Sequence, residues 1–172
     1  INLLDAMPVA YSYKLLAIDS TYKTGVENDF SVILCVGVLN GNVYVFDRIK
    51  GKWPYPDLLN ETISAYEKHK PHVILIEDKV SGQSLIQSLK RETKYNVRAI
   101  KADRDKIVRT HAVTHIFEHG RVFVHNAKWT NDYLDTLCKF PFGAHDDDVD
   151  ATTMAFRFAD EIQNKPKNSF NI

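Results

Sequence analysis

Short apolar runs alternate with polar breaks along most of the chain. KLLAIDS (residues 14–20) is an apolar run that closes on Asp19, and SVILCVGVLNGNVYVFDRI (31–49) holds two β-rich runs split by Asn40-Gly41. That dipeptide tolerates the positive φ angles of a tight two-residue turn, so the region predicts a hairpin and, with the preceding run, three consecutive strands. Apolar positions then switch to helical spacing through Leu58, Leu59, Ile63 and Tyr66, which predicts a helix from Asp57 to Lys68 with Asp57 as its N-cap. HVILIED (72–78) is a short continuous apolar run ending in acid, the pattern of a buried strand in a parallel pair. Beyond it, SGQSLIQSLKRE (81–92) predicts a helix, YNVRAI (95–100) a strand, and DRDKIVRTHAVTHIFEHG (103–120) a longer helix stopped by Gly120. RVFVH (121–125) is a strand, KWTNDYLDTLCKF (128–140) a helix, FPFGAH a loop and DVDATTMAFRFADEI (148–162) the last helix. The resulting order, βββαβαβαβαα, is that of an α/β domain.

Composition narrows the class. With 172 residues, 44% hydrophobic and 26% charged, the chain supports one domain with a substantial core. The division expected is an N-terminal linker or extension over 1–13, the α/β domain over 14–163, and a disordered polar tail over 164–172. Lys plus Arg equals Asp plus Glu at 22 each, so the formal charge is zero and any nucleic-acid-binding surface must be local. Cys35 and Cys138 lie in apolar stretches without metal-type spacing and are expected as small buried hydrophobes, with no disulfide. No apolar run approaches the roughly 18 residues of a membrane span, so no membrane partner is expected. The opening INLLDAMPVAY, without Met, reads as a piece of a larger protein.

Three predicted strand–helix junctions carry acid. Asp19 ends one apolar run, Glu77 and Asp78 end another, and Asp146, Asp147, Asp148 and Asp150 crowd the start of the last helix. Strand ends are where α/β sheets place ligands, and an acid there contributes nothing to packing. On a helix, Asp147 and Asp150 share a face, as do Asp146 and Asp150, and like charges so spaced repel. A divalent cation resolves that conflict. Hard oxygen donors suit Mg²⁺ or Mn²⁺, and two ions about 4 Å apart stabilise the attacking and leaving oxygens of phosphodiester cleavage. An acidic first turn favoured by the helix dipole accounts for one or two of these aspartates, not for four.

Taken in order, IDSTYKTGVENDFSV (18–32), ILIEDKVSGQSLIQSL (74–89), DKIVRTHAVTHIFEHGRVFVH (105–125) and FPFGAHDDDVDATTMAF (140–156) resemble the C-terminal nuclease domain of the large terminase subunit of tailed bacteriophages and prophages. The resemblance covers roughly residues 14–160. It implies a ribonuclease H-like mixed sheet, an antiparallel three-strand meander plus parallel strands flanked by helices. It also implies a metal-dependent endonuclease that cuts concatemeric double-stranded viral DNA during genome packaging, with two divalent ions, Mg²⁺ or Mn²⁺. By position, Asp19 would bridge both ions, Glu77 hold one, and Asp147 the other. Asp147 is the first choice because it forms a DxxDA pattern with Asp150 and Ala151; Asp146 is the alternative, and Asp148 departs from the apolar residue usual there. Attack on phosphorus would be in line, without a covalent enzyme intermediate. Implied partners are double-stranded DNA, an upstream ATPase motor on the same polypeptide, the terminase small subunit and the portal. The implied location is the host cytoplasm, with transient docking on the procapsid. Lys106 and Arg109 are three apart on a predicted helix, and with Lys101, Arg104 and Lys79 they are candidates for sequence-independent phosphate contacts.

Competing readings have weaker support. His111, His115 and His119 recur every four residues and HxxxH can bind Zn²⁺, but no third ligand or HExxH signature accompanies them. No GxxxxGK[ST] loop is present in the sequence, so an ATPase motor is not expected within it. The remaining alternatives are a resolvase-like structure-specific nuclease and a non-catalytic nucleic-acid-binding or motor-docking module.

Overall fold

A computed structural model describes residues 1–20, 30–101, 105–143 and 146–164. The described residues form β1 (Asn2–Leu4), β2 (Tyr13–Asp19), β3 (Ser31–Leu39), β4 (Asn42–Gly51), α1 (Tyr55–His69), β5 (Val73–Glu77), α2 (Val80–Glu92), β6 (Val97–Ile100), α3 (Lys106–Glu118), β7 (Val122–His125), α4 (Thr130–Lys139) and α5 (Asp147–Asn164). The strands make one sheet in the order β1-β7-β4-β3-β2-β5-β6. The β2–β3 and β3–β4 pairs are antiparallel and the others parallel, which is the mixed sheet expected.

The hairpin turn lies where Asn40-Gly41 places it, with φ of 52° and 81° at the two residues. Three details differ from expectation. The 1–13 stretch contributes β1, a short edge strand beside β7 that its exposed, non-alternating residues do not signal. Helix α1 starts earlier than Asp57: Pro54 is its N-cap and Pro56 sits in the first turn, where proline's fixed φ suits a helix start and its missing N–H costs nothing. Cys35 is buried as expected, but Cys138 of α4 is exposed. The expected tail lies outside the described residues beyond Asn164.

Alternation along the strands divides the core. Leu15, Ala17, Leu34, Val36, Val43, Val45 and Leu75 pack with Ile116 of α3, Tyr133 of α4 and Phe156 of α5. The intervening Leu16, Ile18, Ile33, Cys35, Ile74 and Ile76 pack with Leu58 and Ala65 of α1 and Leu85 and Leu89 of α2. Helices therefore cover both faces of a sheet whose central strands are buried on both sides. Asp19 and Glu77 continue the phase of Ala17 and Leu75 and project toward the α3–α5 face.

One irregularity changes that phase. Cys35 faces Asp47 while Val36 faces Val45, so Phe46 is an extra residue in β4. Phe46 joins the core under α1, and the bulge then sends Asp47 to the α1 side and Arg48 and Lys50 to the α5 side.

Candidate active site

Asp19 ends β2 and Glu77 ends β5, two adjacent parallel strands. They are only 3% and 8% exposed, and Asp150, in the first turn of α5, meets them across a narrow cavity also lined by Ile100, Lys101, Arg109, Thr153 and Arg157. Asp147, the first choice from sequence, does not line this cavity. It is buried in the same turn of α5, where Lys50, Asp146 and Asp148 are the charges that act on it. Asp148 points elsewhere. It is fully buried beneath the sheet side of α5, where it accepts hydrogen bonds from Arg48 Nε (2.8 Å), Arg48 Nη2 (2.6 Å) and Lys50 Nζ (2.9 Å). Arg48 also reaches Asp132 of α4 at 2.8 Å. Asp147, Asp148 and Asp150 of one short run thus face in different directions.

Three of the basic residues expected to meet DNA, Lys79, Lys106 and Arg109, lie among the acids. Lys79 is paired with Asp19 and, at 2.9 Å, with Glu77. Arg109 Nη1 donates to Glu77 (3.2 Å), its Nη2 lies 3.7 Å from Asp150, and its buried Nε has no hydrogen-bond partner among the described residues. Lys106 is paired with Asp146 and, at 2.7 Å, with Asp150. Carboxylates and cations therefore alternate from Asp19 through Lys79, Glu77, Arg109, Asp150 and Lys106 to Asp146. Local structure brings the cations there: α3 begins at an Asp105 cap whose carboxylate accepts from Ile107 N (2.8 Å), and Lys106 and Arg109 follow on one face. Lys101 lines the cavity, and Arg104 lies outside the described residues.

Burial is the largest influence on Asp19, and with Asp150 and Glu77 nearby it pushes the carboxyl up to about 7 despite the opposing pull of Lys79. Burial likewise raises Asp150, with Lys106 pulling it down and Glu77 adding to the rise, and raises Asp147 against the pull of Lys50. Lys79 is held above its ordinary value, because its acidic neighbours outweigh the loss of solvation. Its side chain remains 35% exposed, so it gives up less hydration than Asp19 does. The set has the chemistry of a hard-cation site: carboxylate oxygens from three elements, largely withdrawn from water and separated only by protein ammonium and guanidinium groups.

The histidines of α3 form no ligand set among the described residues. His115 meets Asp160 at 3.3 Å, and His119 Nδ1 donates to the His115 carbonyl at 2.6 Å.

A model of the terminase RNaseH-like domain matches residues 16–157. The chain belongs to that family. No curated protein matches the sequence. Among solved structures, it is similar to the large terminase of a thermophilic bacteriophage in complex with ADP, at 16% identity and a TM-score of 0.69 over 91% of this chain and 42% of that one. The nuclease of the large terminase from thermophilic phage G20c with bound magnesium gives 17% and 0.67, covering 89% of this chain and 84% of that one. The manganese-soaked human cytomegalovirus terminase nuclease domain gives 14% and 0.61, covering 90% and 88%. The terminase RNaseH-like domain described here thus spans less than half the length of the ADP-bound large terminase and most of the other two. Its mixed sheet with flanking helices is the ribonuclease H-like fold of these terminase nuclease domains.

Proposed function

We propose that this terminase RNaseH-like domain is a divalent-metal-dependent endonuclease that cuts concatemeric double-stranded viral DNA during genome packaging. The observation that carries the reading is the convergence of Asp19, Glu77 and Asp150, from two strand ends and a helix start, on one cavity. Family membership supports it, as do relatives studied with magnesium and manganese. Asp19, on which the charges of both Glu77 and Asp150 act, would contact both of two ions, with Glu77 holding one, Asp150 the other, and Asp147 and Asp146 at the margin. Bound there, Mg²⁺ or Mn²⁺ would supply positive charge to the attacking and leaving oxygens.

The protein's own groups do the rest. Asp19, Glu77 and Asp150 must be ionised, and their anchorage at strand ends and a helix start keeps them in place without reorganisation. Lys79, Arg109 and Lys106 neutralise the acids here and would be available to phosphate oxygens if divalent metal took over that neutralisation. Lys101 extends this basic edge, and Arg104 is assigned to it by sequence position. None of these groups reads bases, so cleavage is expected without strong sequence preference. An upstream ATPase motor, the small subunit and the portal are proposed as partners in the host cytoplasm, with transient docking on the procapsid. The ADP in the phage large terminase, of which this chain covers 42%, is consistent with a motor outside the chain.

The test is cleavage of supercoiled plasmid by the purified domain in Mn²⁺, Mg²⁺ and EDTA. Metal-dependent product should fall by about 10²-fold or more in Asp19→Asn and Asp150→Asn, as loss of several kcal/mol of charge stabilisation requires, and by less in Asp147→Asn. Equal loss in Asp147→Asn and none in Asp150→Asn would return the third ligand to Asp147. Unchanged product in all three would move cleavage away from this cavity, and no metal-dependent product in the wild type would favour a binding module.

A further inference from the structure

Among the described residues, the metal-type donors gathered most tightly are outside the nuclease cavity. Cys35 of β3, Asp47 of β4 and His69 at the end of α1 bring one ligand atom each within 4.8 Å of one another. They lie on the opposite face of the sheet from Asp19, with Cys35 in the core beneath α1 and α2 and Asp47 and His69 half-buried beside it. The β4 bulge makes the group: Asp47 is the cross-strand partner of Cys35, and the extra Phe46 beside it packs edge-on to the His69 ring with centroids 5.2 Å apart.

We propose that Cys35, Asp47 and His69 form a second metal site, selective for Zn²⁺ over the ions of the nuclease cavity. The donor types argue for zinc, because thiolate and imidazole favour a borderline-soft cation and disfavour Mg²⁺, which demands oxygen and octahedral geometry. Separations argue likewise. Bonds of about 2.0–2.3 Å set tetrahedral zinc ligands roughly 3.3–3.8 Å apart. The Asp47 Oδ2 to His69 Nε2 distance of 2.8 Å must open by only about half an ångström to match that spacing. Lys68 Nζ, 2.8 Å from the same oxygen, is the group that leaves, and its side chain is 65% exposed and free to swing into water. His69 also lines a groove with Tyr11, Lys14, Phe46 and Lys68, from which water would complete the shell.

Charge and protons balance. Asp47 is already ionised: burial would raise it, but hydrogen bonds from His69 and Lys68 more than offset this and hold it below the usual carboxylate range. His69 Nε2 donates to Asp47 in the metal-free protein, so it must release that proton to solvent or pass it to Nδ1 as the nitrogen turns its lone pair to the metal. Burial pushes the Cys35 thiol well above its ordinary value, so it loses its proton to solvent only as the sulfur donates to the metal. Bound zinc would tie the C-terminal end of α1 to β3 and β4, a structural role separate from cleavage.

The experiment uses the purified domain, stripped with chelator, in an Asp19→Asn, Cys138→Ser background that disables the nuclease cavity and removes the exposed thiol. Co²⁺ is titrated in and followed by sulfur-to-cobalt charge-transfer absorption, then displaced with Zn²⁺. The expected result is a band saturating at one equivalent, abolished by adding Cys35→Ser and weakened about tenfold or more by His69→Gln. If Cys35→Ser fails to fold, His69→Gln decides, since its ring lies at the surface end of the cluster. Absence of the band in the folded background protein overturns the proposal, as does a band indifferent to Cys35→Ser or, where that variant does not fold, to His69→Gln; Asp47 and His69 are then only a hydrogen-bonded pair pinning α1.

Discussion

Deprived of hydration, the Asp19 carboxyl is costly to ionise, and neither Lys79 nor the fold removes the whole cost. Its folded value of about 7 lies above the ordinary 3.8, so the native state binds this proton more tightly than the unfolded chain does. Stability from this group is therefore greatest at low pH, declines as pH rises between those two values, and stays at its lowest above about 7. Asp19→Asn should accordingly raise the melting temperature of the metal-free domain by a few degrees at about pH 8 and hardly at about pH 4, while abolishing cleavage. Thermal unfolding in EDTA at the two pH values checks it. Lys79 keeps Glu77 as a partner in that variant, so no cation is left stranded. Residue chemistry also separates the aspartates of the 146–150 run: Asp150 faces the cavity, whereas Asp148 is committed to Arg48 and Lys50.

Elements meet the site through two close contacts. The first turn of α5 is anchored from below by Arg48 and Lys50 through Asp148, and the β4 bulge decides that these cations face α5 at all. Arg48→Met should cost about 3–5 kcal/mol in urea unfolding, because it leaves Asp148 buried with Lys50 alone; adding Asp148→Leu should recover much of that loss. The second contact is at Gly82 in the first turn of α2. A Cβ there would lie 2.0 Å from the Glu77 carbonyl oxygen, backbone that cannot yield without moving the end of β5. Gly82→Ala should displace Glu77 and reduce cleavage about tenfold or more even where the domain still folds. Circular dichroism beside the plasmid assay separates the two effects.

At the scale of the whole molecule, the acids of the cavity join parts of the chain that are far apart in sequence: β2, β5 and α5. A cation bound by all three binds only the folded state, so it must stabilise the domain by mass action. Mn²⁺ or Mg²⁺ at about a hundredfold excess over its dissociation constant should add about 2.7 kcal/mol. The rise in melting temperature should reverse with EDTA and be lost in Asp150→Asn, read by calorimetry. Zero net charge is compatible with DNA binding on this architecture, because Lys79, Lys106 and Arg109 are concentrated at one sheet end.

By itself the sequence determined the order of elements from β2 onward, the Asn40-Gly41 hairpin, the acid tips of β2 and β5, and an acidic start to the last helix. Each of these is written in a local period or turn chemistry. It did not announce β1, whose short edge carries no alternation, or the earlier start of α1 at paired prolines. Nor did it distinguish Asp147 from Asp150, which share a helical face and differ only in what stands opposite. That difference, the enclosure of Asp148 by Arg48, and the meeting of Cys35, Asp47 and His69 were decided by tertiary structure. For Asp148 and Asp47 the cause is register, since one extra residue in β4 reverses which face each later side chain meets; for Asp150 it is the ends of β2 and β5 that stand opposite, and local spacing carries no information about either.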